Sequence, residues 1–192
     1  MPKVSDDHRK AQAERFIDAA RRCFTRTGVE GTSMEHIRIE AGVSAGLMYR
    51  YYASKDEMIR AAISGSMTEF EAIAAAAADD AAAGTALGYL HVILGKLSEF
   101  RCHTEGVDLF SLAVQGWAHA QSRPEAKAII VESFGHQLAT YQKAALRWTT
   151  KARADDAARA IGAAVVGYIV QSTFSPDDID VKKYCAGLAA LD

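Results

Sequence analysis

At 192 residues, with 49% hydrophobic and 24% charged side chains, the chain has the composition of one folded globular domain, or one domain with a small appendage, and not of a disordered polymer. No unbroken apolar run reaches the roughly 18 residues of a membrane span, and the alanine-rich stretch 72–83 is interrupted by Asp79 and Asp80. The net charge of −2 divides unevenly: residues 1–60 carry 11 Lys/Arg against 9 Asp/Glu, and residues 61–192 carry 11 against 15, a mildly basic head on an acidic body.

The N-terminal segment, Met1 to Lys10, is polar and lacks the apolar core of a secretory signal. With three widely spaced cysteines, Cys23, Cys102 and Cys185, and no CxxC pair, this implies reduced thiols and a cytoplasmic protein. A first helix is expected from Asp6 to Thr27, with Ala13, Phe16, Ile17, Ala20 and Phe24 on one face, and Gly28 ends it. A short helix then starts at Thr32 or Ser33. Thr32 with Glu35 fits a capping box, Ser33 fits a plain N-cap, and the spacing leaves both open. It carries Ile37 and Ala41 and stops at Gly42, and a third helix runs from Ser44 to Tyr51. Ser54 with Glu57 forms a further capping box, opening a long helix with Met58, Ile59, Ala62, Ile63, Phe70 and Ile73 on its inner side.

Beyond Gly84 the period stays helical: Leu87, Leu90, Leu94 and Leu97 form one stripe, and Phe110, Val114 and Trp117 another. Pro124 suits a first helical position, and Ile130, Phe134, Leu138, Tyr141, Ala145 and Trp148 follow at helical spacing. Asp155 and Asp156 suit the N-terminus of a helix over about 156–173, and Ser175-Pro176-Asp177-Asp178 reads as the start of a last helix over about 177–191. The expected fold is all-α, with nine helices and no strand.

The most specific signal lies in residues 32–52. Two short helices flank Ala41-Gly42-Val43, where glycine permits the sharp turn of a helix-turn-helix whose second helix enters the DNA major groove. Here the sequence resembles the TetR-type (tetracycline-repressor-like) family of transcriptional regulators. The resemblance rests on Gly31-Thr32-Ser33-Met34, Ile37, Ala41-Gly42-Val43-Ser44, Gly46, Tyr49, Tyr52 and Ser54-Lys55 with Glu57, and it covers Phe16 to Ile63. It implies that Thr32, Ser33 and Ser44 meet DNA phosphates, that Ala45, Gly46 and Leu47 face base edges, that Tyr49 gives its hydroxyl to a phosphate, that Arg50 and Tyr51 touch phosphates or neighbouring bases, and that Lys55 neutralises a phosphate. Position 45 is often lysine and position 47 often threonine in that family. Ala45 and Leu47 lack those polar readers and instead suit thymine methyls, shifting weight to phosphates and DNA shape. Arg38, where a small residue is usual, either reaches a phosphate or stays solvated.

The same resemblance divides the chain into a DNA-binding head, residues 1–60, and an effector-binding and dimerisation body, residues 61–192. In the body, Phe110, Trp117, Phe134, Tyr141, Tyr168 and His91 are the candidate ligand contacts. Gly162, Val166, Ile169, Tyr184 and Leu188, on the last two helices, are the candidate subunit contacts. Glu99 and His103 share a helix face but have no third ligand at a telling spacing, so no metal and no cofactor are expected. Phosphate loops, nucleophile elbows and paired catalytic carboxylates are missing, which disfavours an enzyme. The expected function is a repressor that binds a palindromic double-stranded operator as a homodimer and is released by a small-molecule effector, with no membrane partner. The alternatives are a helical ligand-binding or interaction protein, or a helical enzyme, with a vestigial helix-turn-helix.

Overall fold

The computed structural model describes residues 6–175 and 179–191. Among these, all regular structure is helical: α1 Asp6–Gly31, α2 Met34–Ala41, α3 Ala45–Tyr49, α4 Lys55–Ala78, α5 Ala86–Phe100, α6 Leu109–Ala120, α7 Pro124–Ala145, α8 Ala154–Phe174 and α9 Val181–Ala189, with a short 3-10 turn at Lys151–Arg153 before α8. The helices begin where short polar side chains can take up orphan N–H groups: Ser33, Ser44, Ser54, Thr85, Asp108 and Asp180 each accept such a bond. Gly28, at φ 76°, breaks α1, so the regular helix stops where glycine was expected to stop it and one further turn continues to Gly31. Gly42, at φ 65°, closes α2 in the left-handed conformation that a side chain resists.

Two apolar clusters form. The head cluster joins Phe16, Ala20 and Phe24 of α1 to Ile37, Met48, Met58 and Ile59. Phe16 has no exposed surface, and burying a side chain of that size contributes roughly 1.5–3 kcal/mol. The body cluster joins Tyr89, Ile93, Leu94 and Leu97 of α5 to Phe110, Tyr141, Ile161, Val165 and Tyr168. Tyr89 keeps its polar tip satisfied by donating to the Ala74 carbonyl at 3.1 Å. α4 belongs to both clusters: Ile59 and Ala62 sit in the head, Ala74 and Ala77 in the body. A division at residue 60 therefore falls inside a continuous helix.

Three local expectations change. Glu57 reaches back to the Ala53 N–H at 2.7 Å, one residue before Ser54, so the cap opening α4 is displaced from the expected box. The expected start of the last helix includes Pro176, Asp177 and Asp178, which lie outside the described residues, and α9 opens later, with Asp180 as its cap. By length and composition, residues 151–174 are apolar enough to cross a membrane, yet 33% of that stretch's most apolar window is buried within the chain. Ile161, Val165, Tyr168 and Ile169 supply its inner face.

Candidate nucleic-acid interface and ligand cavity

The turn leading into α2 is held from several sides. Ser33 is the cap: its Oγ accepts the His36 N–H at 3.2 Å, and His36 Nδ1 accepts the Ser33 N–H at 3.3 Å. Thr32 is buried, and its hydroxyl donates to the Gly28 carbonyl at 2.7 Å. The choice between two caps thus falls to Ser33, and the Thr32 hydroxyl, expected at a phosphate, is instead turned inward and ties α2 to the end of α1. Lys55 is committed too: Nζ donates to the carbonyls of Val29, Glu30 and Thr32 at 3.0, 3.4 and 3.0 Å. Its charge offsets the negative end of α1, and its donors meet carbonyls inside the protein rather than facing outward for the expected phosphate. Arg38 neither floats nor reaches outward. It grips Glu35 at 2.6 and 2.7 Å and donates to the Val43 carbonyl at 2.9 Å, bracing the α2–α3 turn. The Arg38 contact holds the Glu35 carboxyl below its usual range.

α3 presents Ser44, Ala45, Gly46, Tyr49 and Arg50 to solvent, with Tyr49 54% exposed. The Arg50 N–H closes α3 on the Leu47 carbonyl at 3.3 Å, while its guanidinium makes no hydrogen bond or ion pair among the described residues, so its charge is available to a phosphate. Leu47 is half-buried and packs against the head cluster, as does Tyr51, whose ring meets Phe16 edge-on at 5.2 Å. Both therefore support the helix from behind at least as much as they face outward.

Head and body are joined beside α4. The Val29 N–H donates to Gln115 Oε1 of α6 at 2.9 Å, and the Asp108 N–H to Thr25 Oγ1 at 3.3 Å. Arg21, 5% exposed, bonds Ser66 Oγ at 3.0 Å and Glu69 Oε2 at 3.3 Å. A small void of about 40 Å³ lies at this junction, against Phe24, Ile59 and Met67.

A cavity of about 450 Å³ opens between α4, α6, α7 and α8. Met67, Phe70, Trp117, Phe134 and Leu138 supply most of its apolar wall, with Trp117 and Phe134 edge-to-face at 6.1 Å. Tyr141 also lines it, and burial pushes its hydroxyl far above the usual phenol range, so it stays neutral. No group of three or more metal-ligating side chains occurs among the described residues. His103 stacks on Phe100 at 4.1 Å rather than facing Glu99 as a co-ligand.

Residues 16–62 match the family of bacterial regulatory proteins named tetR. That match lies within the head and covers about a quarter of the chain. Across 58 residues, 30% of this chain, it is 34% identical to the HTH-type transcriptional repressor Rv1474c of Mycobacterium tuberculosis, and the match spans 31% of that relative. The whole chain shares its fold with solved proteins at lower identity. A candidate transcriptional regulator from Pseudomonas aeruginosa PAO1 superposes with a TM-score of 0.75 at 22% identity, covering 98% of this chain and 90% of that one. The SmeT–triclosan complex superposes with a TM-score of 0.70 at 23% identity, covering 91% and 86%.

Trp117, Phe134 and Tyr141 come together on the cavity wall. Phe110 and Tyr168 do not: they pack edge-to-face at 6.1 Å in the core, with Arg101 over the Phe110 ring at 5.2 Å. His91 is exposed on α5, away from the cavity. Of the expected subunit contacts, Gly162, Val166 and Ile169 line the cavity, and Ile169 is 2% exposed. Tyr184 donates to the Ala164 carbonyl at 2.8 Å and Leu188 packs on the body core, so these two dock α9 within the chain. The sequence reading missed Met67, Phe70 and Gln137. The legible signal was Ser133 with Gln137, two polar residues four apart on a stripe otherwise carrying Ile130 and Tyr141.

Proposed function

We propose that the protein is a ligand-responsive transcriptional repressor that binds a palindromic DNA operator as a homodimer and leaves it when a small molecule fills the body cavity. The observation that carries this reading is α4, one helix whose start packs in the tetR-type head and whose later turns reach the cavity through Met67 and Phe70. A ligand that fits one position of α4 better than another shifts the spacing of two heads on a two-fold site. The relative named a transcriptional repressor favours repression, and triclosan bound to SmeT supports a ligand-holding body in this fold.

The homodimer has its own support in α8. An apolar stripe on α8 starts on the cavity lining with Ala163 and Val166 and continues through half-buried Val170 to Phe174, which is 79% exposed. A second copy of α8 would cover that stripe and bring both cavities beside the interface. Operator binding places the protein in the cytoplasm with the DNA. Selection of bound DNA from a random pool tests the reading. The expected product is an inverted repeat with half-sites about one helical turn apart, roughly 34–36 Å. Enrichment of no sequence would overturn it.

A further inference from the structure

We infer that the cavity selects a neutral, mostly apolar molecule bearing one hydrogen-bond donor, and that the side-chain carbonyl of Gln137 is the group that reads that donor. This rests on reading the cavity as the effector site.

Gln137 is 6% exposed and lines the cavity. Its Nε2 donates to Ser133 Oγ at 3.4 Å, and Ser133 Oγ donates to Glu71 Oε1 at 2.6 Å. The order of this chain fixes the amide. An ionised carboxylate only accepts, so the single serine proton goes to Glu71, and the serine oxygen then accepts from the amide N–H. The carbonyl of Gln137 is left as the free end on the cavity wall, with no hydrogen bond from the protein among the described residues. Such an acceptor is met by water until a ligand donor displaces it.

The rest of the wall excludes charge. Arg159 is the charged residue on the lining, and its guanidinium is largely exposed and paired with Asp155 at 2.9 Å, at the edge rather than inside. Glu71 is screened from the cavity by Ser133. A cation entering between Phe70, Trp117, Phe134 and Leu138 would lose its hydration with no opposite charge to replace it, and an anion there would have only the Arg159 guanidinium at the edge, already shared with Asp155. The volume, about 450 Å³, suits a two-ring compound with room for substituents. A phenol, alcohol or amide on an apolar frame fits; a carboxylate or ammonium does not.

Calorimetric titration of the full chain with three probes of one shape tests this: para-phenylphenol, its methyl ether and para-biphenylcarboxylate. The phenol is expected to bind about tenfold tighter than the ether, and the carboxylate weaker than both. In Gln137→Leu the phenol and ether should agree within about twofold, with the ether bound at least as well as before. Ser133→Ala leaves Gln137 in place but frees its amide to turn, and should erase most of the phenol preference. It answers the question if Gln137→Leu fails to fold. Equal binding of phenol and ether to the unmodified protein overturns the donor reading while leaving the cavity as a ligand site. A preference that survives both substitutions overturns the role of Gln137, and tight carboxylate binding overturns neutrality. Binding of none of the three overturns the effector-site reading and this inference with it.

Discussion

Lys55→Met separates two physical roles that one side chain cannot fill together. In the structure its ammonium closes the end of α1 through three carbonyls, two of them at 3.0 Å. Charge-assisted bonds of this kind contribute about 1.5–3 kcal/mol each when dry. Lys55 is only half-buried and water can replace much of each bond, so the net loss on substitution is about 1–2 kcal/mol for the whole site. At roughly 2–4 °C per kcal/mol for a chain of this size, the melting temperature should fall by about 2–8 °C. DNA affinity should weaken, because Ser33 and the start of α2 lose their anchor, but the slope of log affinity against log salt should stay unchanged. Loss of a true phosphate contact would instead make that slope shallower by about 0.9 and leave the melting temperature alone. The assay pairs thermal unfolding with binding to the selected operator across a salt series. A Lys55→Met protein of unchanged stability and shallower slope would refute the reasoning.

The other predictions use different groups. Arg50→Ala should show the opposite signature, a salt slope shallower by about one with melting within about 1 °C of the unmodified protein; an unaltered slope would remove α3 from the phosphate backbone. Burial pushes the Asp108 carboxyl up, but the paired bonds from Arg101 and the N–H groups of Ser111 and Phe110 outweigh it and hold it below its usual range. Its folded pKa lies below the unfolded one, so its contribution is present above about pH 4 and is lost as pH falls further. Asp108→Asn should therefore cost about 1–3 kcal/mol at pH 7 in urea unfolding and narrow the gap in stability between pH 7 and pH 3. An identical gap in both proteins would contradict this. Ala163→Arg and Phe174→Asp should each shift sedimentation toward the monomer, and a dimer retained in both would place the subunit contact elsewhere.

Much of the head was readable from residue order because its signals are local. Gly28 and Gly42 take positive φ, Ser44 caps α3, and the apolar positions repeat at the helical period, all within one or two turns of chain. The choice between Thr32 and Ser33 was not readable, since both can cap at this spacing. Burial against Gly28 decided it. Lys55 looked like a phosphate ligand because a lysine at a helix start near the motif suits one, and only the approach of α1's end, about 25 residues earlier, showed where its donors go.

The body divides along the same line. Composition and period determined that it is helical, apolar on one side and aromatic-rich, and they picked out Trp117, Phe134 and Tyr141. They also offered Phe110, Tyr168 and His91 with equal warrant, because an aromatic stripe looks the same whether it faces a core, a cavity or solvent. Which face of α8 turns inward, which places Gly162 and Val166 on a cavity, and the meeting of Gln137 with Ser133 and Glu71 were decided by packing of α7 on α4 and α8. The basic head and acidic body of the opening count came from sequence alone. The structure then showed that several head cations, Arg21, Arg22, Arg38 and Lys55, are held by internal partners, leaving Arg50 outward at the end of α3. Local chemistry is written in neighbouring residues, whereas the partner that satisfies a charge or fills a face is chosen by segments far apart in the chain.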